Sequence, residues 1–297
     1  MGIFKKIKNI ITFKKYRNKP SRIEKHIKDI REMILSHQSK SLQQNHKNPL
    51  NAYGQKCFSQ TDEDGITIEI LKRIKLINKG VFAEFGVGRG TENNTLILKA
   101  QGWKGFWVGN EKLAISYKES ESFHYIKDYV TLNNIISLVQ KGLKSISKDK
   151  VDVVSFDLDG NDYYLIEALL KNNFKPKLFI VEYNAKFPPP IKWIMKYNNA
   201  HIWEKDDYFG ASLSSFNDLF ERNEYKLICC NSQTGANAFF IKKEFLHLFD
   251  DVPKKIEDLY VEPRYLLNTN FGHTQSLKTI NQFFNWIKFS SEHYLVK

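Results

Sequence analysis

Short apolar blocks alternate with segments of helical period through the middle of the chain. The blocks at 81–85, 105–108, 123–131, 151–156 and 177–181 are rich in β-branched and aromatic residues. Continuous apolar runs of that length suit strands buried on both faces. Between them, 94–100, 132–143 and 163–170 read as helices, and apolar positions at Ile66, Ile70, Leu71 and Ile74 predict another helix ahead of the first strand. A helix from Ser212 or Ser214 through Arg222 follows, then two strands at 225–230 and 237–241 joined by the turn SQTGA. Five strand and helix alternations predict an α/β fold with a doubly wound, mostly parallel sheet, and the last two strands close it as an antiparallel hairpin.

The ends of the chain follow other patterns. Residues 2–17 put Ile3, Phe4, Ile7, Ile10 and Ile11 on one helical face among lysines. Such a face suits either an anionic membrane surface or packing on the protein's own domain or a second subunit. Pro20 interrupts it, and Ser21 to Glu24 forms a capping box for a helix that aligns Ile23, Ile27, Ile30 and Ile34. The polar segment 37–49 reads as a linker. The organisation expected is a helical leader and linker over 1–50, a main domain over 51–243, and a mostly helical C-terminal extension over 244–297.

Composition adjusts this picture in two places. The net charge of +12 suggests a nucleic-acid binder until it is located: residues 1–31 hold 11 Lys or Arg against Glu24 and Asp29, leaving +3 for all the rest. The main domain therefore carries no electrostatic footprint for DNA or RNA. Cys57, Cys229 and Cys230 show neither metal-ligand spacing nor a disulfide framework, and no run of 18 apolar residues or signal-peptide pattern occurs. A cytoplasmic protein, peripheral to a membrane if residues 1–36 bind one, is the expectation.

Candidate chemistry gathers at the predicted strand ends, where ligands sit in open α/β sheets. VFAEFGVGRGT (81–91) reads as strand, glycine turn, helix start, with Glu84 two positions before Gly86, then Gly88 and Gly90. The G-x-G-x-G spacing differs from the dinucleotide fingerprint, and an acidic residue before it suits S-adenosylmethionine better than NAD. Asn110 and Glu111 end the second strand, where a carboxylate holds a ribose. Asp157 and Asp159 end the fourth strand; Glu182 and Asn184 end the fifth. This oxygen-rich set could ligate Mg²⁺ or Mn²⁺, or Asp159 could cap the following helix while Asp157 alone touches cofactor. DLDGNDYYLIEA (157–168) is no EF-hand, because glycine stands fourth and Ala168 twelfth. Asp157, Asp159, Glu182 and His201 are candidate catalytic groups, with His273 an alternative base. The aromatic segment 192–210 could form a substrate wall or lid.

These residues resemble the Rossmann-like S-adenosylmethionine-dependent methyltransferases, and among them the FkbM-type proteins of polysaccharide and glycan biosynthesis. The resemblance covers about 54–243 and rests on FSQTDEDG, FAEFGVGRGTENNT, GWKGFWVGNE, VDVVSFDLDGNDY, FIVEYNAKFPP, DYFGASL and GANAFFIKK. It implies a class I methyltransferase sheet with the terminal hairpin. It also implies Glu84 and the glycine turn at the methionine end of the cofactor, Glu111 at the ribose, and Asp157 near the reaction centre. Asn110-Glu111 departs from the usual lone acid after the second strand, which leaves either residue as the ribose ligand. The implied activity is O-methylation of a sugar or sugar-linked group in bacterial capsule or lipopolysaccharide. A small phosphoramidate-type acceptor, or an inactive scaffold at the membrane, are the alternatives.

Overall fold

The apolar blocks form strands, and their carboxyl ends line up. A computed structural model describes residues 21–264 and 273–284. In it β1 (Val81–Phe85), β2 (Lys104–Gly109), β3 (Phe123–Lys127), β4 (Val153–Phe156) and β5 (Leu178–Glu182) run parallel. They join β6 (Tyr225–Cys230) and β7 (Asn237–Lys242) in one sheet of order β3-β2-β1-β4-β5-β7-β6, with β7 antiparallel to both neighbours. This is the expected Rossmann-like sheet with its terminal hairpin. Its central strands are buried along their whole length, which is why they carry no polar alternation. Phe85 and Phe156 stack across β1 and β4 with ring centres 4.6 Å apart; truncating either to Ala costs about 3–5 kcal/mol.

The helices among the described residues include α1 (Arg22–Asn45), α2 (Glu63–Arg73), α3 (Leu96–Ala100), α4 (Ile135–Ser145), α5 (Asp162–Lys171), α6 (Leu213–Arg222) and the single turn α7 (Ile256–Leu259), and 277–284 is helical as well. α1 begins with the predicted capping box, Ser21 Oγ accepting from Glu24 N while the Glu24 carboxylate accepts from Ser21 N. It then continues into the expected linker: 37–45 is helical and ends only at His46. Leu35 and Ser39 are buried against the domain, and Gln43 donates to Gly54 O and Asp62, so tertiary contacts carry the helix through a stretch whose own pattern is weak. A 3₁₀ turn (Pro49–Tyr53) then ties the chain to β6, Asn48 and Asn51 donating to the carbonyls of Ile228 and Cys230.

The acidic stretch before α2 is engaged in loop and tertiary contacts. Asp62 holds the N-cap position but makes no capping bond; it accepts from the N–H of Ser232 and Gln233 and from Asn231 in the β6–β7 turn. Asp64 closes its own loop by accepting from the N–H of Cys57, Phe58 and Ser59. β3 stops at Lys127, short of the expected 131, and its last ladder bond runs from Asp128 N–H to Gly109 O. The basic leader lies outside the described residues up to position 20. Among the described residues no helix is long and apolar enough to cross a membrane.

Candidate functional site

The glycine turn after β1 divides its work among three residues. Gly86 (φ +89°) packs so closely on the end of β4 that a Cβ there would stand 1.6 Å from Asp157 O. Gly90 (φ +76°) lies over Leu113 and Trp107. Gly88 (φ +50°) has nothing within 4 Å of where its Cβ would be. Its backbone faces an open cleft of about 340 Å³, lined also by Gly86, Asn110, Glu111, Asp157 and Asp159. Glu84 stands behind this cleft. Its carboxylate accepts from Asn94 N (3.0 Å), Thr95 N (3.1 Å) and Thr95 Oγ1 (2.5 Å), and so fastens the start of α3 beneath the turn. Burial pushes its pKa up, against the pull of those donors.

The ends of β2 and β3 make one wall. Asn110 and Glu111 both line the cleft and are exposed to it. Tyr125 OH fixes this strand end, donating to Gly109 O and Glu111 O. Asp128 and Tyr129, past the end of β3, line the same cleft. They follow from the strand-end rule, which the overlong reading of the third strand concealed.

The ends of β4 and β5 supply the carboxylates. Asp157, Asp159 and Glu182 each present an oxygen within 4.8 Å of the others. Burial first, then the neighbouring charges of Asp159 and Asp162, hold the Asp157 carboxyl well above the usual range. Burial and Asp157 do the same for Glu182, and the two share a hydrogen bond. Each carboxyl thus disfavours the charged form of the other. Burial and then Asp162 raise Asp159 to about 6. Asp159 has a left-handed backbone (φ +53°), a strained conformation that is frequent at functional sites. Asp162, not Asp159, serves the loop at the start of α5, accepting from Leu158 N and Gly160 N.

Asn184 stands apart from this cluster. It is buried, donates to the carbonyls of Asp207 and Phe209, and accepts from Lys186 N. Its amide is spent in anchoring the aromatic segment, so it does not join the metal-ligand set expected of it.

That segment forms the far wall through His201, Ile202 and Trp203. It is pinned at several points: Asn161 donates to Asn198 O, Tyr164 OH to Met195 O, and Tyr129 OH to His201 O. Gly160 is a glycine because a Cβ there would meet the His201 ring at 2.6 Å. Burial lowers the His201 pKa, so the ring is neutral at pH 7, and its buried Nε2 has no hydrogen-bond partner among the described residues. Trp193, within the same segment, forms a small core with Phe187 and Met195. His273 packs between the rings of Trp203 and Phe209, where burial lowers its pKa to about 4. It braces the wall from outside the cleft. A wider groove of about 840 Å³ under α1, lined by Arg31, Gln43, Gln60 and Asp62 among others, contains none of the strand-end carboxylates.

No protein-family model matches the sequence, and no curated protein does. Among solved structures, a putative ribosomal RNA methyltransferase from Plasmodium falciparum is 12% identical, with a TM-score of 0.36 over 62% of this chain and 97% of that one. CalO1, a methyltransferase in calicheamicin biosynthesis in its SAH-bound form, is 12% identical, with a TM-score of 0.32 over 56% of this chain and 49% of its own. An O-methyltransferase family 2 protein from Planctomyces limnophilus, in complex with apigenin, is 11% identical, with a TM-score of 0.32 over 55% and 51%. The chain thus spans about half the length of the last two. Superpositions this loose leave the function to be read from the site.

Proposed function

We propose that the protein is an S-adenosylmethionine-dependent O-methyltransferase whose acceptor is a hydroxyl of a sugar or sugar-linked group in a bacterial surface polysaccharide. The observation that carries the reading is the open approach to Gly88 in a cleft that has Asn110 and Glu111 on one side and the Asp157, Asp159 and Glu182 cluster on the other. The cleft volume falls within the range of small-molecule sites. A backbone bare of Cβ suits close contact with the methionine end of the cofactor, and Glu111 or Asn110 suits bonds to its ribose hydroxyls. When bound, S-adenosylmethionine supplies a methyl group activated by its sulfonium. Glu84, behind the turn, contributes by holding the turn's shape.

The remaining chemistry is the acceptor's proton. A sugar hydroxyl is a poor nucleophile, and a base with a pKa near the working pH serves it best. Asp159, raised to about 6, is ionised at neutral pH and faces the cleft. His201 lines the same cleft, and burial favours its neutral ring. Asp157 and Glu182 crowd charge at one point, which favours a proton or a cation there. Their all-oxygen set with Asp159 fits Mg²⁺ or Mn²⁺ in donor type and number, and such an ion would favour the alkoxide form of a bound hydroxyl.

Calorimetry with S-adenosylhomocysteine tests the cofactor. Saturable binding supports the reading; binding of NAD with no response to S-adenosylhomocysteine overturns it. Mass spectrometry of the surface polysaccharide after loss of the gene tests the acceptor. Disappearance of one methyl increment is expected, and an unchanged glycan with newly undermethylated RNA or protein refutes the substrate class.

A further inference from the structure

The first three turns of α1 have no partner among the described residues that accounts for their apolar face. Every residue over 22–30 is exposed, and burial begins only at Leu35. Ile23, Ile27, Ile30 and Ile34 are nevertheless 71%, 53%, 55% and 44% exposed, with Met33 beside them at 72%. Their spacing of four, three and four residues keeps them in a single narrow row, the seam of a coiled coil rather than the broad apolar face of a helix lying on a domain. Three helical turns that project into water without tertiary contacts are marginal by themselves.

The charges around the seam choose between a membrane and a protein. A membrane-surface helix carries a cationic polar face. Here Arg22, Lys25, Lys28 and Arg31 alternate with Glu24, Asp29 and Glu32, and Lys28 already pairs with Glu32 at 3.7 Å. A near-neutral face of mixed sign suits another helix carrying the same mixture. A symmetric copy presents that face automatically, with the same isoleucine row opposite. We propose that the protein self-associates through Ile23, Ile27, Ile30 and Ile34 of α1. Isoleucine at both kinds of seam position favours three or four strands over two.

Sedimentation equilibrium of the full chain over a range of concentrations tests this. The wild type is expected to reach at least twice the mass of one chain, and Ile27→Lys/Ile30→Lys to fall to a single chain with an unchanged circular-dichroism spectrum. Ile27→Leu/Ile30→Leu, which keeps the row apolar, is expected to remain associated. A wild type of single-chain mass throughout overturns the proposal, as does a lysine variant that stays associated. Flotation with phosphatidylglycerol vesicles supplies the competing arm: a single-chain wild type whose vesicle binding is lost in the lysine variant assigns the row to a membrane instead.

Discussion

Gly86 and Gly88 stand two residues apart in one turn, yet alanine should act on them in different ways. At Gly88 the new Cβ meets nothing in the protein, so the cost is that of an L-residue held at φ +50°. That is about 1–2 kcal/mol, or a fall in Tm of about 2–6 °C for a domain of this size. The methyl group does, however, project into the approach to the cleft. A cofactor held there by close backbone contact loses at least tenfold in affinity, about 1.4 kcal/mol or more. At Gly86 the Cβ lands 1.6 Å from Asp157 O, a collision between the ends of two central strands that neither can relieve alone. Gly86→Ala should therefore fail to give soluble, cooperatively melting protein. The assays are thermal melts and calorimetry with S-adenosylhomocysteine. If Gly88→Ala melts within a few degrees of wild type and binds S-adenosylhomocysteine equally well, the turn does not hold the cofactor and the reasoning fails at its first step.

Glu84→Ala strips three hydrogen bonds from the start of α3 and buries two N–H groups without acceptors; it should cost about 2–4 kcal/mol, read by urea denaturation. Asp207 is fully buried and accepts from Lys186, Ser276 N and Thr279 Oγ1. Asp207→Ala should cost on the order of 2–4 kcal/mol and speed amide exchange over 196–209, whereas unchanged exchange there would show the wall to be held by other contacts. Asp159 binds its proton more tightly in the folded than in the unfolded protein, since its pKa is raised to about 6. Its contribution to stability is thus greatest below the unfolded value near 4 and is lost as pH rises to 6; Asp159→Asn should flatten that part of the Tm profile, and an identical profile in the variant would refute the assignment. Above pH 6, Mg²⁺ at 100 times its Kd should restore about 2.7 kcal/mol if the three carboxylates bind it, and no rise in Tm with Mg²⁺ or Mn²⁺ would remove the metal from the proposal.

The strands were legible because both faces of the sheet are covered, which makes each strand an unbroken apolar run with a visible end. The glycine turn was legible for a related reason, since Gly86 meets the backbone of Asp157 and Gly90 holds a positive φ over the side chains of Trp107 and Leu113. What stayed hidden depends on contacts distant in sequence. The 37–45 part of α1 is polar, and its helical state rests on Leu35, Ser39 and Gln43 meeting the domain. Asp62 looks like a helix cap until the β6–β7 turn, 170 residues away, is seen to occupy it. Asn184 looks like a ligand until the loop at 207–209 closes over it.

The same distinction explains why acidic residues at neighbouring strand ends have different roles. Side chains on a strand share a face every second residue. Glu84 stands in register with Ser155 of β4, on a rung still inside the sheet, and the first turn of α3 covers that rung, Asn94 donating to Ser155 Oγ while Glu84 takes the N–H groups of Asn94 and Thr95. Asp157 lies two residues beyond Ser155, on the next rung up. The β4–β5 register, Phe156 opposite Val181, carried one residue further puts Glu182 beside it. This upper rung clears the helix starts, because the loop after β4 turns back onto Asp162 and leaves Asp157 and Asp159 at the cleft. One rung of 6–7 Å, two residues of strand rise, therefore separates a carboxylate that builds the turn from carboxylates that can exchange a proton or hold a cation. Position relative to the last ladder bond, more than residue type, divides the structural acids of this site from the chemical ones.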